Sequence, residues 1–154
     1  MIKSYKYGNI SFPSENEYKK YFSKNELNTY QEYINDMVKK YHRSNTIIID
    51  VGANVGLFSI SFGKICKNCE IHSFEPVSRT FNILEKNIKI NNLENIKLHK
   101  KALSDTNNFD IIQVDQNNLG ASSINQDLHL MDKLKKLSKR KGILKEKIEK
   151  IRLD

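Results

Sequence analysis

No stretch of the chain approaches the ~18 consecutive apolar residues that a membrane-spanning helix requires, and no apolar leader follows the N-terminus. A cytoplasmic chain with no membrane span is expected. Cysteine is scarce too. Cys66 and Cys69 form a lone Cys-x-x-Cys with no second pair and no thioredoxin-like context. His72 raises the potential ligands only to three, where structural zinc takes four. Two reduced thiols and no metal site are therefore expected. Aromatic residues are missing from the basic region. Lys133 to Arg152 holds ten Lys or Arg against Glu146 and Glu149, a surplus equal to the net charge of +8 carried by all 154 residues. Such a block attracts phosphate backbones or anionic surfaces. Without aromatic side chains it has no stacking platform for single strands, so no specific nucleic-acid binding is expected of it.

What the chain does have is concentrated between Ile47 and Pro76. The β-branched run Ile47-Ile48-Ile49 reads as a buried parallel strand and leads directly into Asp50-Val51-Gly52-Ala53-Asn54-Val55-Gly56. Two glycines allow a sharp turn and a close approach of backbone to a ligand. Leu57, Phe58, Ile60, Phe62 and Ile65 then suit a helix buried over much of its surface. Strand, glycine turn and helix N-terminus together make a cradle for a nucleotide-type cofactor. The spacing is Asp-x-Gly-x-x-x-Gly, not the G-x-G-x-x-G of dinucleotide folds. An acid before the first glycine can hold a cationic amine, whereas it would repel a pyrophosphate. Downstream, Glu70 to Phe74 reads as a second strand closed by Glu75-Pro76. Glu75 lies 19 residues past Gly56, near the ~20-residue interval at which an acid binds ribose hydroxyls. Pro76 cannot continue the ladder.

At these residues the chain resembles the FkbM family of S-adenosylmethionine-dependent methyltransferases. The resemblance rests on Asp50 to Gly56, Phe74-Glu75-Pro76, Asn87 to Leu93, Ala102-Leu103-Ser104-Asp105, and Asn118 to Ile124. In its first motif an Ala-Asn pair stands in place of the central glycine of the wider class. The resemblance implies a Rossmann-like α/β fold of the class I methyltransferase type, with a doubly wound sheet. It implies S-adenosylmethionine as cofactor and O-methylation of a small-molecule or sugar hydroxyl. Asp50, Gly52, Ala53, Asn54 and Gly56 would wrap the methionine end, Glu75 would bind ribose, and Ala102 and Leu103 would border adenine. Leu153-Asp154 is similar to the point just before that family's fourth core strand. The chain is thus expected to be the cofactor-binding part of the domain, with an incomplete sheet, self-association through an unpaired edge, and little activity alone. No catalytic base is nominated. A non-catalytic cofactor-binding or interaction module, and a basic RNA-associated methyltransferase, are the alternative readings.

Three segments are expected. Residues 1–45 read as helical, with Ser14 and Glu17 in a capping-box pattern and Tyr30, Tyr33, Ile34, Met37, Val38 and Tyr41 at helical spacing. Residues 46–125 carry the cofactor-binding half. There Ser78 to Asn92 is a crossover helix with Phe81, Leu84 and Ile88 on one face, Asn95 to Lys101 is a third strand, and Phe109 to Asp115 pairs antiparallel with Ala121 to Ile124. Residues 126–154 read as a Lys-rich helical segment, with Leu128, Met131, Leu134 and Leu137 forming a narrow apolar stripe and Gly142 as a stop.

Overall fold

The computed structural model describes residues 1–5, 7–21, 32–34, 36–38, 40–41, 43, 45–116, 123–124 and 142–154. The N-terminus is a hairpin, which corrects the all-helical expectation for residues 1–45. Strands β1 (Ile2–Tyr5) and β2 (Gly8–Ser11) pair antiparallel, with Ile2 opposite Ser11 and Tyr5 opposite Gly8. The physical reason is a period of two: Ile10 and Phe12 both point into the core. The cap expected at Ser14 is present. Its Oγ accepts the Glu17 N–H at 3.2 Å, and α1 (Glu15–Tyr21) follows with two acids in its first turn. Residues 32–34, 36–38 and 40–41 are helical, with Ile34 and Val38 buried one turn apart and Tyr33 and Tyr41 exposed. Tyr30 lies outside the described residues.

The apolar run becomes β3 (Ile47–Val51), which leads through the glycine turn into α2 (Leu57–Ile65) and then β4 (Glu70–Phe74). A second crossover helix, α3 (Ser78–Ile90), precedes β5 (Ile96–His99). The three strands are parallel in the order β3-β4-β5, with Ile49 opposite His72 and Phe74 opposite His99. This is the Rossmann-like alternation read from the sequence. Ile71 and Ile96 pack with Ile60 and Phe62 of α2 and Leu84 and Ile88 of α3 in one core. Helix α2 lies close to the sheet because Gly63 is small: a Cβ there would sit 2.9 Å from Ile96 Cδ1. The opposite face of β3 is open, with Ile47 64%, Ile49 39% and Val51 62% exposed. Among the described residues β3 is an edge strand. Beside it on that face, Glu70 Oε1 meets His72 Nε2 at 2.6 Å and Lys97 Nζ at 2.7 Å.

Cys66 and Cys69 are joined in a disulfide, which corrects the expectation of reduced thiols. Cys66 caps the end of α2, and the tight turn after it folds Cys69 back so that the two Cα atoms lie 5.4 Å apart. Asn95 Nδ2 holds the turn by donating to the carbonyls of Cys66 (3.0 Å) and Cys69 (3.3 Å).

The second sheet contains β6 (Ala102–Leu103), β7 (Asn108–Asp115), β8 (Ser123–Ile124) and β9 (Ile143–Ile151) in the order β6-β9-β7-β8. The expected antiparallel excursion is present, with Ile112 opposite Ile124. The reading of residues 126–154 as helical is corrected for its last part. Residues 143–151 are a strand antiparallel to all of β7, from Asn108 opposite Lys150 to Asp115 opposite Ile143. Charge disguised the alternation. Ile148 joins Val77, Ala102, Ile112 and Val114 in a second core. Lys150, on the same face, is buried and reaches Asp110 Oδ2 at 3.1 Å, so that its stem serves as apolar surface. The stripe at Leu128, Met131, Leu134 and Leu137 lies outside the described residues. Gly142 is a turn residue with φ 119° entering β9, and the helix it was expected to stop lies outside the described residues.

Two asparagines one turn apart on α3 attach the hairpin. Asn91 Oδ1 accepts the Asn9 N–H at 2.8 Å and its Nδ2 donates to Asn9 O at 2.6 Å. Asn87 Oδ1 accepts the Ser11 N–H at 2.7 Å, and its Nδ2 donates to Ser11 O at 3.3 Å and Val55 O at 2.8 Å. Their amides pair with alternate residues of β2 as a neighbouring strand would. This accounts physically for the Asn87 to Leu93 motif. Asn87→Leu leaves Ser11 N–H, Ser11 O and Val55 O without their partner in a buried site. The unfolding free energy in urea is expected to fall by about 2–4 kcal/mol with an unchanged m-value.

Candidate cofactor site

The turn after β3 places three residues in the left-handed region: Gly52 (φ 74°), Asn54 (φ 52°) and Gly56 (φ 94°). Asn is among the few non-glycine residues that tolerate this conformation, which explains how an Ala-Asn pair serves where a glycine otherwise stands. The turn is gripped from β4. Gly52 N–H and Ala53 N–H both donate to Phe74 O at 2.9 Å. Gly56 N–H then donates to Ala53 O at 2.9 Å, and α2 begins with Gly56 at its N-cap.

The two glycines differ in what surrounds them. A Cβ at Gly52 would meet nothing within 4 Å, so the space over it is open. A Cβ at Gly56 would lie 2.6 Å from Leu84 Cδ1. Gly52 therefore faces a cradle, whereas Gly56 lets α3 pack under the turn. Ala53, similarly, is buried in the main core. On this geometry Ala53 and Gly56 shape the turn from beneath.

Glu75 is 6% exposed and joins several elements. Its Oε2 accepts the Asn54 N–H at 3.0 Å, its Oε1 accepts the Val77 N–H at 2.9 Å, and its own N–H donates to His99 O at 3.0 Å. Burial raises its pKa above the usual carboxylate range. The Val77 and Asn54 N–H groups oppose that rise, and the charges of Glu146 and Asp50 add to it. Asp50 is also raised, chiefly by burial and against the hydrogen bonds from Ser59. Among the described residues neither acid has a Lys, Arg or His ion-pair partner. Asn54 Oδ1 is buried and accepts no hydrogen bond from any described residue. Two uncompensated acids, an unused amide acceptor and open space over Gly52 suit a ligand that carries an ammonium group and a ribose. Such a ligand would donate where the site only accepts.

Of the residues expected at the site, the structure gathers Asp50, Gly52, Asn54 and Glu75. Ala102 meets Val77, two residues past Glu75, in the second core, and Leu103 lies on the β6–β9 ladder opposite Ile151. Ser59, Ser73 and Glu146 were not foreseen. Ser59 Oγ donates to Asp50 Oδ2 at 2.5 Å, and Ser73 Oγ donates to Ser59 Oγ at 2.8 Å. Both serines are fully buried among apolar neighbours, a polar-in-core pattern that was available as a signal. Glu146 Oε1 accepts the Ser78 N–H at 2.9 Å and also the Ser78 hydroxyl, tying β9 to the start of α3. Its role had no signal in a segment read as helical. No described helix is long and apolar enough to cross a membrane.

Residues 17–150 match the family described as TRM5/TYW2 methyltransferase domain. "Methyltransferase sdnD" of Sordaria araneosa is 36% identical over 62 residues, 40% of this chain and 24% of that protein. "Methyltransferase 1" of Beauveria bassiana (strain ARSEF 2860) is 27% identical over 59 residues, 38% of this chain and 24% of that protein. The matched stretch thus spans about a quarter of the length of these curated relatives. Among solved structures, M. jannaschii TYW2 in complex with AdoMet shares 19% identity and a TM-score of 0.43, covering 63% of this chain and 41% of that one. A precorrin-6y C5,15-methyltransferase from Geobacter metallireducens GS-15 shares 17% identity and a TM-score of 0.42, covering 46% and 36%. The family match carries the methyltransferase class, and the FkbM resemblance is finer than it reaches. Because the family match takes in the glycine turn, both acids and both crossover helices, the chain belongs to the TRM5/TYW2 methyltransferase domain family, whose members depend on S-adenosylmethionine.

Proposed function

We propose that this chain binds S-adenosylmethionine at the turn between β3 and α2 and forms the cofactor-holding part of a methyltransferase. The observation that carries the reading is the acid pair Asp50 and Glu75, which has no ion-paired cation among the described residues, beside Asn54 Oδ1, unused among them, and the open space over Gly52. Asp50 and Asn54 would hold the ammonium end, and the remaining lone pairs of Glu75 would accept from the ribose hydroxyls. When bound, the cofactor supplies an electrophilic methyl group on a sulfonium sulfur. The chain's part is to fix the orientation of that group and to exclude water around it, the terms on which an in-line displacement chiefly depends. The finer reading is an acceptor hydroxyl on a small molecule or sugar, supported by the FkbM-like motifs at Ala102 to Asp105 and Asn118 to Ile124.

A second acceptor reading has one observation in its favour. The β7–β9 pairing sets Lys147 Nζ 4.4 Å from the centre of the exposed Phe109 ring, so the basic strand gains from its neighbour the aromatic it lacks. An RNA acceptor would use that surface. Binding of a single-stranded RNA that survives physiological salt and weakens in Phe109→Ala would favour it over the hydroxyl acceptor.

Calorimetry with S-adenosylmethionine, S-adenosylhomocysteine and NAD tests the cofactor. Both sulfur nucleosides are expected to bind more tightly than NAD, and the reverse order would exclude the proposal. Glu75→Gln keeps the size of the side chain but removes its charge and leaves one acceptor for two backbone N–H groups. It is expected to weaken nucleoside binding by about 1.5–3 kcal/mol.

The raised acids also set a pH dependence. A carboxyl group whose pKa is higher in the folded chain holds its proton there after the unfolded chain has released it. Its contribution to stability is therefore greatest on the acid side and falls as pH rises from the ordinary carboxylate range through the raised value. Asp50→Asn, which can still accept from Ser59, is expected to melt higher than the wild type at neutral pH while binding the nucleoside less tightly. The melting difference should shrink as the pH is lowered into the ordinary carboxylate range.

A further inference from the structure

We propose that Ser59 and Ser73 are positioning residues for the cofactor site, a buried hydroxyl relay that orients the Asp50 carboxylate toward the ligand's ammonium group. The inference rests on the cofactor reading above and assigns to that site two residues from different elements. Ser73 stands on β4 directly opposite Asp50 on β3. Ser59 is in the first turn of α2, over both strands. Ser73 Oγ donates to Ser59 Oγ at 2.8 Å, and Ser59 Oγ donates to Asp50 Oδ2 at 2.5 Å. With Asp50 ionised, donation runs toward the carboxylate, which can only accept.

Buried hydroxyls in helices have a simpler solution available, and the neighbouring Ser61 takes it: its Oγ donates to Leu57 O of the preceding turn at 2.8 Å. Ser59, equally buried on the same helix, donates instead across to β3. Both relay serines have no exposed surface and sit where Ala or Val would fill the core. A hydroxyl is unfavourable in such a place unless its hydrogen bonds are made. Here they are made in series, so each donor polarises the next and the strongest bond ends on the carboxylate. The contact engages Oδ2 and leaves acceptor capacity on Asp50 for a ligand.

Electrostatics agree with the geometry. Burial favours the neutral form of Asp50, and the hydroxyl and backbone N–H of Ser59 favour the charged form. The charge of Asp50 in turn raises Glu75, after β4, which the charge of Glu146 on β9 raises as well. Among the described residues no cation is ion-paired with Asp50 or Glu75 to relieve this repulsion. The relay thus aims Asp50 and opposes part of the rise that burial imposes on it.

The test is the pH profile of S-adenosylhomocysteine affinity, measured calorimetrically with the whole chain. The product is used because it keeps the ammonium group and needs no acceptor. In the wild type, affinity is expected to fall on the acid side as Asp50 and Glu75 take up protons. Ser59→Ala should weaken binding about tenfold at neutral pH and move that acid limb to higher pH. Ser59→Thr should restore both, and Ser73→Ala should move the limb in the same direction by less. Ser59 touches Asp50 and not Glu75, so its effect on the limb enters through Asp50. Affinity lost equally at every pH would assign Ser59 a packing role and overturn the proposal, as would an unchanged profile in both alanine variants. If Ser59→Ala does not fold, Ser73→Ala decides, since it keeps the final bond to Asp50 and removes only the relay. A wild type that binds no S-adenosylhomocysteine at any pH would remove the cofactor reading and the relay with it. Binding with an unmoved limb removes the relay alone.

Discussion

The Glu75 carboxylate is the junction on which this structure turns. One oxygen accepts from the glycine turn at Asn54, the other from Val77 at the start of α3, and the backbone N–H of the same residue reaches His99 at the end of β5. Three connections that would otherwise be independent loops are fixed by one side chain. Proline at position 76 helps, because it ends the β4 ladder at Glu75. The arrangement has a consequence for function. A carboxylate 6% exposed and with no ion-paired cation among the described residues carries unfavourable desolvation energy, and a ligand that donates to its remaining lone pairs would offset part of it. Holding the turn in shape and attracting the ligand are then two effects of the same buried charge.

Around that junction, tasks that a motif treats as one are divided. Gly52 leaves open space above the turn, and Gly56 admits Leu84 beneath it. Asn54 supplies a backbone donor to Glu75 and an amide oxygen that no described residue uses. From below, Asn87 reaches both Val55 O in the turn and Ser11 in the N-terminal hairpin. The hairpin, α3 and the turn are therefore a single hydrogen-bonded unit, and a change in any of them is felt at the site. The second sheet enters through Glu146, which caps α3 at Ser78 and biases Glu75 electrostatically.

Several readings of the sequence met competing physics. Helical spacing of tyrosines in residues 30–41 hid a hairpin at Ile2 to Ser11 whose period of two runs over only two short strands. Charge hid β9: Lys145 and Lys147 on one face and Glu146 and Lys150 on the other read as a solvated helix, although Ile148 and the stem of Lys150 are core. The lone Cys-x-x-Cys offered no partner pair for a framework, yet the turn at the end of α2 brings its own two cysteines together.

The sequence by itself determined the βαβαβ alternation from Ile47 to His99, the position of the glycine turn, the two acids at strand ends and the methyltransferase class. These are local properties: an apolar run, residues that accept positive φ, a proline that stops a strand. Only the tertiary structure decided which glycine has open space above it, that Glu75 bonds the turn, that Ser73 and Ser59 stand in line with Asp50, and that a lysine-rich tail is a strand beside Asn108 to Asp115. Each of these depends on the register between strands and on the seating of a helix over them. Both are fixed by packing between residues far apart in the chain, which no local pattern encodes.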